Sequence, residues 1–360
     1  MAAETPHYQK RLARGAKFSS FEFLYYFSFG IYIVIYGLSK TNFEAFFFIS
    51  VDALVDGGRL VCALLLIGKL LIQRYTSKQL LGLMVVGAVV VISLYFARDW
   101  NLVLLYLFVA AGQGISIRKL AIIALPIQLA ILLITATFAG AGIIESRITY
   151  RTVGGVVQLR SSMGYAHPNT FGNAVLSVCC SYAILRFPRF NFADLLVYVL
   201  GITIINLYAD SQTSMICIGV VALFALCSRL LRDRTGFKGL AFASAVIAVF
   251  TVVLSYYMMV YYSSNVEWMQ ALNSMLSSRF SLAKAYYTDF PPTLFGRNPD
   301  EISMVININY VQHFPDNAYI RLLITDGILP TVIFLMYMLL NNGKHPFYHK
   351  DDKKEDFIKK

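Results

Sequence analysis

The residues with chemical reach gather in three short stretches. His167 and Asn169 lie in SSMGYAHPNTFGN, positions 161–173, directly behind Arg160. Arg279 lies in LNSMLSSRFSLA and Arg297 in TLFGRN, while His313, Asp316, Asn317, Tyr319 and Arg321 crowd QHFPDNAYIRLLITDGILP. Asp210, Ser211, Gln212 and Thr213 fill NLYADSQTS. Arginine offers a rigid fork of donors matched to phosphate or pyrophosphate. His167, His313 and Asp316 are groups that accept or relay a proton. There is no paired-acid motif of the DxD kind and the histidines are far apart, so no metal ligand set and no cofactor are expected. This inventory fits a metal-independent transfer onto a hydroxyl, with arginines neutralising a diphosphate leaving group. Plainer readings stand beside it. Pro168 suits the first turn of a helix, Asp316 or Asn317 suits a helix cap, and the NLYADSQTS cluster suits a hairpin between helices.

The elements that must position these residues are apolar. Of 360 residues, 58 % are hydrophobic and 14 % charged, where a soluble domain carries about a quarter charged. Mean hydropathy is +0.62. Apolar runs of a length that suits membrane spans fall at about 20–37, 49–68, 79–97, 101–116, 120–142, 168–185, 192–208, 213–228, 239–262 and 316–340. Basic blocks occupy every second connection: Arg11, Arg14 and Lys17; Lys69, Arg74 and Lys78; Arg118 and Lys119; Arg186 and Arg189; Arg229, Arg232, Arg234 and Lys238. That alternation predicts cytoplasmic termini by the positive-inside rule. The fold class expected is an all-α polytopic membrane protein of about ten transmembrane helices, with a long extracytoplasmic loop before the last.

The expected organisation is a basic cytoplasmic tail over 1–19, one transmembrane domain over 20–340 and a charged cytoplasmic tail over 341–360. Outer segments at 143–166 and 263–315 carry Arg147, Arg151, Arg160, Arg279, Lys284 and Arg297, and such outward cations ask for an anionic ligand. The net charge of +11 is spread through these connecting blocks, which argues against a nucleic-acid partner and for membrane lipids. The five cysteines fall inside apolar runs without ligand spacing and read as small buried hydrophobes.

At SSMGYAHPNTFGN, LNSMLSSRFSLA and FPDNAYIRLLITDGILP the chain resembles the Wzy-type bacterial polysaccharide polymerases of the O-antigen polymerase and ligase superfamily. One departure is Gln212, which stands in SQTS where relatives often carry an arginine. The resemblance implies a C-type glycosyltransferase-like fold of the O-antigen ligase branch. It implies a membrane glycosyltransferase that polymerises undecaprenyl-diphosphate-linked oligosaccharide repeat units into capsular or exopolysaccharide. Localisation would be the bacterial cytoplasmic membrane, multi-pass, with the active site outward. A chain-length regulator and a flippase of the same pathway would be partners. On that reading His313, Asp316 or His167 activates the acceptor hydroxyl. Arg160, Arg279, Arg297 and Arg321 bind diphosphate, and Asn169, Asn317, Tyr319 and Gln212 supply further hydrogen bonds. An O-antigen or glycan ligase is the alternative, and a lipid-linked oligosaccharide flippase a third.

Overall fold

The apolar runs fold as helices in the computed structural model, which describes residues 20–43, 50–153, 156–187, 190–230, 234–276, 278–299 and 317–341. In chain order these are α1 (Ser20–Leu38), α2 (Val51–Ile72), α3 (Ser77–Ala97), α4 (Trp100–Ala111) and α5 (Ile117–Gly140). A hairpin of β1 (Ile148–Val153) and β2 (Val156–Ser161) follows, then α6 (Pro168–Arg186), α7 (Leu195–Tyr208) and α8 (Gln212–Leu230). The last group is α9 (Arg234–Tyr261), α10 (Glu267–Met275), α11 (Arg279–Asp289), α12 (Ala318–Arg321) and α13 (Ile328–Asn341). The chain divides into two units: Met1–Arg74 with Leu107–Leu226, and Tyr75–Tyr106 with Cys227–Lys360.

In the first unit α1 packs on α2 and α5, and α5 on α6. Phe171, Val175 and Cys179 recur every four residues along α6, so they share one face, and all three are buried with Tyr198, Ile205 and Ile218. Each such side chain contributes about 1.5–3 kcal/mol by leaving water. Lys69 is buried near the end of α2, where it donates to the carbonyls of Ala111 and Gln113 and lies 5.0 Å from the Tyr25 ring centre. The antiparallel hairpin pairs Ile148 with Ser161 and Val153 with Val156. Its side chains alternate across the two faces: Leu159 is exposed and Arg160 buried.

In the second unit a capping box at Thr76 and Gln79 starts α3. Met259, Ala283, Tyr286, Phe290, Ile320 and Ile324 form one buried cluster, and Met258, Met269 and Phe280 another. Asn273, on α10, caps a helix other than its own: its Oδ1 accepts from the amides of Phe280 (2.9 Å) and Ser281 (3.1 Å) at the head of α11, while its Nδ2 donates to the Tyr262 hydroxyl. Those two amides have no partner inside α11, so the side chain of α10 supplies one.

The expected ten-span polytopic fold is corrected. Among the described residues two helices, α3 and α5, are long and apolar enough to cross a membrane by length and composition. Other apolar helical segments are shorter, among them Trp100–Ala111, Gln212–Cys227 and Ile328–Met338. A twelve-residue helix such as α4 rises about 18 Å, against a hydrocarbon layer of about 30 Å. The run expected to be a tenth span is broken, because α12 passes into a π-helical turn at Leu322–Asp326 and Gly327 ends it at φ 104°. The segment expected as an outer loop at 143–166 holds the two-stranded sheet.

Apolar surface is nonetheless plentiful. On α3, Leu80, Leu81, Met84, Val85, Val91 and Tyr95 are all exposed, Tyr95 at 79 %. Contiguous apolar surface of this kind asks for a covering phase or partner.

Candidate functional site

Three of the expected polar residues meet in the first unit. His167 is the N-cap of α6, and its Nδ1 accepts from the Asn169 amide at 3.1 Å. In the neutral ring the proton then sits on Nε2. Pro168 occupies the first helical turn, where its missing N–H costs nothing. Arg160 is buried, 9 % exposed, and its Nε donates to the Ala209 carbonyl at 2.7 Å while Nη2 donates to Asn169 Oδ1 at 2.6 Å. This guanidinium therefore ties β2 to the head of α6 and to the turn after α7. Gln212 opens α8 beyond that turn. Next to it Ser211 and Ser214 share a hydrogen bond, and Ser214 donates to Asn173 Oδ1 at 3.0 Å. The arrangement is a polar clamp at the ends of three elements.

The expected residues of the second unit are placed separately. Arg279 starts α11 and is partly exposed. Asn317 caps α12, with Oδ1 accepting from the amides of Tyr319 and Ile320 and Nδ2 donating to Ser255 Oγ at 2.8 Å. Tyr319 is partly buried, and its carbonyl accepts from the Tyr256 hydroxyl. His313 and Asp316, two of the three expected proton acceptors, lie outside the described residues.

Arg321 and Arg297 lead to a group that the sequence reading passed over. Asp99, between α3 and α4, caps α4 through Oδ1, which accepts from the Asn101 amide at 2.8 Å and from Asn101 Nδ2 at 2.7 Å. Its Oδ2 lies 3.9 Å from Arg321 Nη2. Asp326, at the end of the π turn, is 6 % exposed, and its Oδ1 has no hydrogen-bond partner among the described residues. The buried Nε of Arg297 is in the same state. Burial pushes the Asp326 carboxyl up to about 7; the charge of Asp99 pushes the same way and Arg321 opposes both. A neutral acid at physiological pH can both donate and accept, which a carboxylate cannot.

Backbone geometry holds these groups together. The Arg297 amide donates to the Thr325 carbonyl at 3.0 Å, the Ile328 amide to Thr293 O at 3.0 Å, and the Leu329 amide to Leu294 O at 3.1 Å. That stitching needs two chain segments to touch. Gly296 has φ 85° and Gly327 has φ 104°, and a Cβ on Gly327 would lie 2.3 Å from the Gly296 nitrogen. Only glycine fits such a left-handed, close approach. The signal for Asp326 was present in RLLITDGILP, as an acid inside an apolar run followed by glycine. An ionisable residue so placed is costly unless it has a task. Asp99 carried no comparable signal, since an acid before an apolar run reads as an ordinary cap.

Among the described residues no group of three His, Cys, Asp or Glu side chains is placed to hold a metal ion. No protein-family model matches the chain, and no curated protein and no solved structure matches it either. The resemblance to the Wzy-type polymerases is therefore corrected: the short motifs at 161–173, 272–283 and 314–330 do not extend to a family-level match. The polymerase function, with its ligase and flippase alternatives, and the capsule, exopolysaccharide and membrane-glycosyltransferase assignments go with it. The multi-pass placement in the bacterial cytoplasmic membrane, with an outward active site, fails with the ten spans it required.

Proposed function

We propose that the second unit binds an amphiphile, taking a polar headgroup at Asp326, Arg297 and Arg321 and laying an apolar tail along α3. The carrying observation is two buried side-chain atoms without a hydrogen-bond partner, Asp326 Oδ1 and Arg297 Nε, on segments whose backbones meet at Gly296 and Gly327. Buried polar atoms without partners are rare in native structures and mark places where a further group is needed. A neutral Asp326 donates to or accepts from a headgroup hydroxyl, while the guanidinium groups of Arg297 and Arg321 suit phosphate or diphosphate. The chemistry for the tail is adjacent. Asp99 follows α3 after a single residue, Arg98, which turns the chain at φ 55°, and α3 carries the exposed Leu81, Met84, Val85 and Val91. An undecaprenyl-diphosphate-linked saccharide belongs to this ligand class.

The test is binding of three short-tailed probes to purified protein: farnesol, farnesyl diphosphate and farnesyl-diphosphate-linked glucose. The glycosylated diphosphate is expected to bind most tightly and farnesol least. Arg297→Gln and Asp326→Ala are each expected to weaken the glycosylated probe at least ten-fold, since each removes a buried charge-assisted or neutral hydrogen bond worth about 1.5–3 kcal/mol. Equal affinity for farnesol and the glycosylated probe would overturn the headgroup site.

A further inference from the structure

Ser93 sits on the buried face of α3. Its residue is 0 % exposed, and among the described residues nothing bonds to its Oγ. A helical serine or threonine can close on the carbonyl of the preceding turn. Ser177, Thr203, Ser255, Thr288 and Thr331 do so, each donating to the carbonyl four residues back at 2.7–2.9 Å. The Ser93 hydroxyl makes no such bond and keeps both a donor and an acceptor buried. Such a group is rare in a native interior and asks for an occupant.

What lies around it follows from the helix period. Val90, Ser93 and Ala97 fall three and four apart and form the buried stripe of α3. The π turn at Leu322–Asp326 and α13 pack on this helix. Three residues past Ser93, the Phe96 ring stacks on Phe295 with centres 6.3 Å apart. That contact brings the segment of Gly296 and Arg297 to α3 as well. Asp326 ends the π turn, and its Oδ1 is likewise buried without a partner. Two unpartnered oxygens are thus buried, one on α3 and one on the turn packed against it.

Their chemistry selects the occupant. The Ser93 hydroxyl is uncharged and both donates and accepts, as a neutral Asp326 also does. A phosphate oxygen only accepts, and would set its charge against the carboxyl. A cation would meet the Arg321 guanidinium, whose Nη2 lies 3.9 Å from Asp99. A hydroxyl donates to one oxygen and accepts from the other.

We infer that Ser93 is a specificity-determining residue of the headgroup site: a saccharide hydroxyl enters between α3 and the π turn and bridges Ser93 Oγ to Asp326 Oδ1. This rests on the headgroup reading above and adds to it a division of labour, phosphate at the arginines and sugar at the two oxygens. A site built to hydrogen-bond a hydroxyl rejects the analogue without it, because its buried groups are then left unpaired. A π-helical turn is a common element of functional sites.

The experiment compares the purified full chain with Ser93→Ala by calorimetric binding of farnesyl-diphosphate-linked glucose, farnesyl diphosphate and farnesol, and by thermal unfolding without ligand. Ser93→Ala is expected to weaken the glucosylated probe about five-fold, the equivalent of one neutral hydrogen bond. Affinity for farnesyl diphosphate should stay as in wild type. Unliganded Ser93→Ala should unfold at the same temperature or higher, since the hydroxyl it lacks had no partner to lose. Ser93→Cys, which keeps a weak donor, should fall between the two in glucosylated-probe affinity. An unchanged affinity for the glucosylated probe would leave water alone at Ser93 and overturn the inference. Equal losses for both diphosphates, or a lower unfolding temperature without ligand, would make Ser93 a structural residue and also overturn it. The headgroup reading fails by a different result, a wild type that binds farnesol as tightly as the glucosylated probe.

Discussion

Replacing Asp326 by asparagine keeps the shape of the neutral acid and removes its ability to ionise. The side chain is 6 % exposed, and its carboxyl is raised from an ordinary value of 3.8 to about 7 by burial first and by Asp99 second, against Arg321. For an acid raised on folding, the native state binds the extra proton between the two values. Stability is therefore full below about pH 4, falls as pH rises towards 7, and is flat above. A rise of about three units corresponds to about 4 kcal/mol at most, since relaxation and water entry reduce it. Equilibrium unfolding of wild type and Asp326→Asn from pH 5 to pH 8 reads this directly. The variant should exceed wild type by about 1.6 kcal/mol at pH 5, rising to about 4 kcal/mol at most at pH 8, with a flat profile of its own. In infrared difference spectra the wild type should lose a protonated-carboxyl band near pH 7, and the variant should not. Identical pH profiles for the two proteins would refute the reasoning, because Asp326 would then ionise as it does in the unfolded chain.

Three other perturbations follow from particular contacts. Arg160→Ala strands the Ala209 carbonyl and Asn169 Oδ1, and should cost about 3 kcal/mol in thermal unfolding, while Arg160→Lys recovers part of this because one ammonium cannot serve both acceptors at guanidinium geometry. Lys69→Ala should cost about 2 kcal/mol through the exposed carbonyls of Ala111 and Gln113, and Lys69→Met less, since it keeps the stem on Tyr25 and buries no charge. Asn273→Ala should cost about 1–2 kcal/mol as a lost cap, and should speed hydrogen exchange at the Phe280 and Ser281 amides; Asn273→Asp should protect those amides as wild type does.

What was legible in the sequence was local. Proline after histidine marks the head of α6, and Pro168 does open it with His167 as cap. Asn317 was readable as a cap for the same reason, a short side-chain oxygen before a helical run. The apolar runs were readable as helices, but their lengths were not: hydropathy averages over breaks, and it could not show that the run through Ile324 changes to a π turn at Leu322. Arg160 was legible as a candidate, but its partners were not. Its fork is directed at Ala209 and Asn169, forty-nine and nine residues away, and sequence spacing carries no information on the first. The Arg297 and Asp326 segments meet only because two glycines take positive φ, a property of the folded chain. A short motif resembling a family stretch constrains only its neighbourhood, and the rest of the chain did not follow.

The division of the chain has a consequence for synthesis. The second unit owns Tyr75–Tyr106 and then nothing until Cys227. On the ribosome α3 therefore emerges with its apolar residues more than two hundred positions ahead of α12, which supplies Ile320. At about 5–20 residues per second this is a delay of about 10–40 s. For that interval Val90 and Ala97, which the folded chain buries, have no folded unit of their own to join. A chain arrested before residue 318 should therefore be far more sensitive to protease at α3 than the completed one.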